Sequence, residues 1–234
     1  MDVGELGVFL LSGFLTVRFL MKWYAPIFFA WPAERGVLEK NVLGFLPIAA
    51  LCVIVPTLLT LASFDVVDDP TFILFYIAFG FAWLYGGIYI MDALFDLSWR
   101  DDILGMNNKS ALYAFAGGFL GLTAIYAGAN VGDGPGWWCV LFAGGLGVVA
   151  WVALALLINF TTHVFERITV ERNVASGVRF GCYLLASGII LGWASSGDWT
   201  SFSMTVIEFG IGWPAVPLAV IAMTCELLFL RNEH

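Results

Sequence analysis

The sequence predicts an all-α fold, a polytopic membrane bundle of about seven transmembrane helices arranged as one lead helix and three parallel two-helix hairpin repeats. Three observations predict it. The 234 residues are 61% hydrophobic and 12% charged, with a mean hydropathy of +0.91, whereas soluble domains carry about 25% charged residues. Apolar stretches of about 20 residues, the length that crosses a bilayer, occur seven times. An asparagine also opens a hydrophobic segment three times, at Asn41, Asn108 and Asn173, with spacings of 108 − 41 = 67 and 173 − 108 = 65 residues.

The first apolar stretch covers 5–24. Its leading charges are Asp2 and Glu5, and no small-residue cleavage site follows it, so it is expected to remain as a helix and not to act as a signal peptide. Arg18 and Lys22 sit near its far end, where long stems reach the interface. The stretch Ala25–Gly36 reads as interfacial or as part of the first helix. Pro26 and Pro32 interrupt it, and Phe28, Phe29 and Trp31 suit a membrane boundary. The remaining helices are expected at 42–63, 71–93, 109–129, 136–159, 174–194 and 203–228. Gly117-x-x-x-Gly121 and Gly188-x-x-x-Gly192 mark close helix packing in the fourth and sixth. Pro135 suits the first turn of the fifth.

The loops alternate in charge. Arg35, Lys40, Arg100, Lys109, Arg167, Arg172 and Arg231 fall on one side, and Asp65, Asp68, Asp69, Asp133 and Asp198 on the other, which has no lysine or arginine. By the positive-inside rule the N-terminus is expected outside and the C-terminus in the cytoplasm. Seven spans satisfy that parity. The chain is then a single membrane domain, with a lead segment at 1–36 and repeats at 37–104, 105–169 and 170–234. At an offset of 65, ten positions between Asn108 and Ala150 are identical to those of the third copy, among them Phe115/Phe180, Gly132-Asp133/Gly197-Asp198 and Gly145/Gly210. The first copy is more degenerate, although Glu39-Lys40-Asn41-Val42 echoes Glu171-Arg172-Asn173-Val174. A two-helix unit returns to its starting side, so the copies are expected to run parallel about an axis near the membrane normal.

Asn108-Lys-Ser-Ala and Asn173-Val-Ala-Ser-Gly, with the Gly-rich helices that follow, resemble the YjfL-like bacterial inner-membrane proteins, classed as domain of unknown function 350. The resemblance covers about residues 71–195. It implies the bacterial inner membrane and no established reaction, substrate or catalytic residue. Some relatives are associated with envelope-stress and polyamine-related genes.

Candidate functional residues fall into three groups. Asn41, Asn108 and Asn173, and with them Asp133 and Asp198, read as helix caps whose side-chain oxygens accept orphaned N–H groups. The asparagines have a second reading, a polar ring on the cytoplasmic face. Gly145 and Gly147 in the fifth helix align with Gly210 and Gly212 in the seventh, where Glu208, Pro214 and Pro217 also lie. Paired interruptions in related helices point to a solute or proton site, and close packing through small residues is the competing reading. Arg179 and Glu226 are placed at similar depth on antiparallel helices and form a candidate ion pair. Asp92, Asp96, Asp101 and Asp102 read as a solvated acidic surface.

Enzyme chemistry finds little support. His163 and His234 are the only histidines. His163-x-x-Glu166 supplies half of a metal site, and HExxH, GxSxG and Walker patterns are missing. No cofactor or metal is expected. Cys52, Cys139, Cys182 and Cys225 read as small core residues. The net charge of −8 argues against nucleic acid. The lipid bilayer is the first partner, with a homo-oligomer or other membrane proteins as candidates. The expected function is a non-enzymatic membrane component that assembles, with a role in envelope maintenance. The alternative is a small-ion or small-solute channel or transporter that uses a broken seventh helix.

Overall fold

A computed structural model describes the backbone of residues 1–28 and 36–232, with side chains to Phe229. Phe29, Trp31, Pro32 and Arg35 therefore lie outside the described residues, as does the side chain of Arg231. Seven helices are long and apolar enough to cross a membrane. We label them α1 (Val3–Phe28), α2 (Val37–Thr60), α3 (Pro70–Phe95), α4 (Lys109–Ala129), α5 (Trp137–Thr162), α6 (Val174–Ala194) and α7 (Phe202–Phe229). Among the described residues there is no named strand; one isolated bridge joins Ala62 to Gly132. Residues Ala25–Phe28 continue α1 through Pro26, which settles part of the ambiguous Ala25–Gly36 stretch as helix.

The centre of the bundle is α4. Its first-turn residues Ser110, Ala111 and Leu112 and its core residues Phe115 and Phe119 are fully buried. Around it stand α2, α3, α5 and α6, while α1 packs on α3 and α7 on α5 and α6. Lipid tails are as apolar as leucine, so contact between helices must come from fit and hydrogen bonds and not from escape from water. The bundle uses both. Trp23 of α1 donates its indole N–H to the Leu43 carbonyl at 3.0 Å, and Trp151 of α5 does the same to Leu184 at 2.9 Å. Each places a large ring in the core while satisfying its one polar atom. Trp23 also stacks near Trp99, Phe115 and Phe119, with ring centroids 4.5–6.0 Å apart.

The closest contact in the bundle joins α4 to α6. A Cβ added at Gly117 would lie 2.1 Å from the Gly181 carbonyl oxygen, one at Gly128 would lie 2.0 Å from that of Gly192, and one at Gly188 would lie 2.4 Å from the Gly121 Cα. These are backbone-to-backbone contacts that no side chain can enter. The touching pairs are separated by 181 − 117 = 64, 192 − 128 = 64 and 188 − 121 = 67 residues. A nearly constant offset along both helices requires them to run parallel and at equal depth. It brackets the 65-residue offset between the second and third copies.

Backbone detail recurs at the same offset. Asn107 and Arg172 are left-handed, with φ of 53° and 55°. Asn108 N bonds to Asp102 O and Asn173 N to Arg167 O, at 3.0 and 2.9 Å. Asp96 and His163, separated by the 67 residues that separate Asn41 from Asn108, end α3 and α5 with φ of 52° each. The start of the first copy departs from this. Gly36 is the N-cap of α2, so Asn41 lies inside the helix, one turn past its start, and is exposed. Asn41 is therefore not a cap, because α2 begins earlier than the asparagine alignment requires.

The seam sets a clear expectation. Replacing Gly117 or Gly128 by Leu must separate the two backbones, and overpacking of this kind costs about 1–3 kcal/mol. Gly13→Ala, where the new methyl meets nothing within 4 Å, should change stability by less than about 1 kcal/mol. Reversible unfolding in detergent would measure all three.

Candidate functional site

We call the end of the bundle carrying Arg100, Lys109, Arg167 and Arg172 the basic end, and the end with Asp65, Asp68, Asp69, Asp133 and Asp198 the acidic end. At the basic end Asn108 and Asn173 are N-caps. Their side-chain oxygens accept the N–H of Ala111 at 3.2 Å and of Ser176 at 3.1 Å. Asn108 is buried, and its amide also donates to the Ile168 carbonyl at 2.8 Å. Ser110 Oγ donates to the Asn173 carbonyl at 2.6 Å. The caps thus tie α4 and α6 together where they begin.

Beside them lies the most concentrated charge cluster. Glu226 of α7 is 2% exposed. It accepts from Arg179 Nε at 2.6 Å and Nη2 at 2.9 Å, from Arg167 Nη1 at 2.6 Å and from Ser176 Oγ at 3.1 Å. The candidate pair Arg179–Glu226 is thus present, and a second arginine joins it. Arg167 reaches inward from the short helix Val164–Thr169 and is itself 2% exposed. Its Nε lies 3.7 Å from Glu171, and the Arg179 guanidinium sits 4.4 Å from the Phe229 ring. Sequence reasoning takes Arg167 for a loop cation. Only its place four residues before Glu171 hints otherwise, because contact with Glu226 is tertiary. The cluster fastens the basic-end half of α7 to α6 and to the short helix Val164–Thr169. Two cations and a hydroxyl saturate the carboxylate.

Nearby, Asp102 accepts from Ser98 N at 2.8 Å. Burial pushes its carboxyl above the usual range, and Asp96, Asp101 and Asp92 push the same way.

At the acidic end the three hairpin turns form a staircase. Gly132 N bonds to Leu61 O and Gly197 N to Val131 O, both at 3.0 Å. The Asp133 carboxylate accepts from Phe64 N at 3.3 Å, and that of Asp198 from Asp133 N at 2.8 Å. Asp133 and Asp198 therefore do not cap the helices that follow them. Gly136 and Ser201 hold the N-cap positions, leaving Pro135 outside α5, and each aspartate joins its turn to the preceding one. An aspartate does cap α3, where Asp69 accepts the Thr71 N–H at 2.7 Å, which holds its carboxyl below its ordinary range.

The seventh helix is broken. It runs as α-helix over Phe202–Glu208, as 3-10 helix over Phe209–Gly212, and as α-helix again from Ala215. Glu208 is exposed and lines a cavity of about 50 Å³ between the turns, together with Asp133, Asp198 and Ser195. The glycines do not join it. Gly147 packs on Ile125 and Ser195, Gly212 packs on Ala194, and Gly145 and Gly210 face open space. Gly145 instead borders an apolar groove of about 340 Å³ between α3 and α5. Pro214 forms the turn below the 3-10 segment. The candidate solute site of Glu208, Gly145, Gly147, Gly210, Gly212 and Pro214 is thus not one assembled site, because α5 and α7 present their glycines to different neighbours.

A family model described as Domain of Unknown Function (DUF350) matches residues 54–195, more than half of the chain. The match begins inside α2, upstream of the expected residue 71, and ends at α6. It contains the α4–α6 seam, Arg167 and Arg179, and leaves out Glu208 and Glu226. No curated protein and no solved structure matches the chain.

Removing the shared carboxylate of the arginine cluster leaves the buried Arg167 and the half-buried Arg179 without their common counter-charge. Glu226→Gln is expected to cost about 3–5 kcal/mol. The triple substitution Arg167→Met, Arg179→Met and Glu226→Leu should cost less than the single one. Unfolding curves of the two variants give the comparison.

Proposed function

The chain belongs to the DUF350 family, and from that premise we propose that this multi-pass membrane protein is a non-enzymatic component that assembles with itself. The α3–α5 groove carries the reading. Ala82, Gly86 and Ile90 of α3 and Gly145 and Val149 of α5 border it in rows of i, i+4 spacing. A Cβ at Gly86 or Gly145 would meet nothing within 4 Å, and Val149 is 70% exposed. Small residues with an open face let a second helix approach closely. The glycines of the α4–α6 seam are spent inside the protein, whereas these two remain free for a second copy. The basic end is assigned to the cytoplasm and the membrane to the bacterial inner membrane, on loop charge and family resemblance. A place in envelope maintenance rests on that resemblance alone.

A second reading, passage of a small ion or solute, is favoured by the break in α7 and by Glu208 on the acidic-end cavity. Beside that cavity the seam at Gly128 and Gly192 and the hydrogen bond from the Tyr126 hydroxyl to the Tyr76 carbonyl at 2.5 Å pack α4 closely against α6 and α3. That favours assembly over passage.

Single-molecule photobleaching in vesicles tests the two together. Assembly gives a homo-oligomer that Gly86→Leu and Gly145→Leu shift toward monomer by about tenfold, or ~1.4 kcal/mol, with ion flux absent in wild type and Glu208→Gln alike. A monomer in wild type would end the assembly reading, and flux lost in Glu208→Gln would replace it with transport. In cells, Asp133→Cys should label from the outer face; labelling only from the cytoplasm would reverse the orientation.

A further inference from the structure

At the basic end, between α1, α3 and the loop after α3, lies a cavity of about 250 Å³ that none of the preceding roles uses. Its charged lining carries both signs, with Lys22 and Arg100 against Asp92 and Asp101, all four exposed, and Arg18 reaches the Tyr85 hydroxyl at its edge. Its floor is aromatic and rigid. Trp23 is 1% and Trp99 8% exposed, and their rings lie 4.5 Å apart. The Arg100 guanidinium is held 5.8 Å from the Trp99 ring. On the α3 side the Tyr85 and Tyr89 hydroxyls are 3.0 Å apart, so one phenol donates to the other and one O–H remains available to an acceptor.

The presence of both signs selects the ligand. An anion would satisfy the lysine and arginine and leave two carboxylates facing it; a cation would do the reverse. A ligand carrying both signs satisfies all four. The site also stands where α1 and α3 leave the apolar layer, and the span of α1 below it exposes Phe14, Val17 and Met21. Indole and phenol side chains at such a boundary suit the headgroup level, and pockets between transmembrane helices with basic groups bind lipid headgroups.

We propose that this cavity binds the headgroup of a zwitterionic phospholipid of the phosphatidylethanolamine class. Lys22, Arg100 and the free phenol O–H receive the phosphate. Asp92 and Asp101 receive the primary ammonium against the indole faces, and the acyl chains lie along α1.

The test is native mass spectrometry of the full chain released from vesicles of equal phosphatidylethanolamine and phosphatidylglycerol. Wild type should retain phosphatidylethanolamine in preference, by about five-fold for each carboxylate engaged, taking ~1 kcal/mol per surface charge. Asp92→Asn with Asp101→Asn, both at exposed positions, should keep the fold and turn the preference toward phosphatidylglycerol. Equal retention of the two lipids by wild type, or an unchanged preference in the double variant, would overturn the proposal. Soluble phosphoethanolamine is the second arm. It should compete weakly, and displacement of the lipid at equal concentration would show that the site takes a free zwitterion and not a lipid.

Discussion

The fold depends on glycine-mediated contact between α4 and α6, because that contact fixes direction, depth and spacing for the helices around it. In a bilayer no hydrophobic effect draws one helix onto another, so association relies on how closely backbones approach. At Gly117, Gly128 and Gly188 the partner helix lies where a Cβ would stand. The approach lets Trp151 reach the Leu184 carbonyl and lets Ser110 bond to the carbonyl of the opposite cap residue, Asn173. Moving α6 along the seam by one turn would break both bonds.

Each end of the seam is then locked by different chemistry. At the acidic end the turns exchange backbone and carboxylate hydrogen bonds in sequence, first to second and second to third, which keeps the three hairpins in step. At the basic end the asparagine caps close the helix starts, and Arg167, Arg179 and Glu226 hold the last helix to the seam. That cluster spans the boundary of the family match, since its arginines fall inside residues 54–195 and its carboxylate outside. The seventh helix is thus an addition to the matched region, fastened by charge at its basic-end half, while its other half breaks at Phe209–Gly212 beside the acidic-end cavity.

Much of this was legible in the sequence, and the failures have physical causes. Bilayer thickness makes span length readable, so α4 and α6 begin and end where their apolar runs do. The roles of Asn108 and Asn173 follow from local capping, which is a short-range interaction. Asn41 has the same neighbours in sequence but a longer helix in front of it, and the identity of one residue carries no information about where a helix starts upstream. Asp133 and Asp198 resemble caps locally, but their bonds go to the preceding turn, a contact between hairpins. Arg179 and Glu226 could be paired by depth alone. Arg167 could not, because a loop arginine becomes a core residue only when the short helix that carries it folds back. The glycines at 145, 147, 210 and 212 are equivalent in the repeat yet face different neighbours. Equivalence in sequence fixes depth and leaves the facing direction to packing.

The parallel seam can be observed without changing a residue. Solid-state NMR of glycine-labelled wild-type protein in bilayers should give contacts between the Gly117 Cα and the Gly181 carbonyl carbon, between Gly128 and Gly192, and between Gly121 and Gly188. Cross-peaks joining Gly117 to Gly192 and Gly128 to Gly181, with the parallel set missing, would mean that the two helices run in opposite directions and would contradict the architecture at its centre.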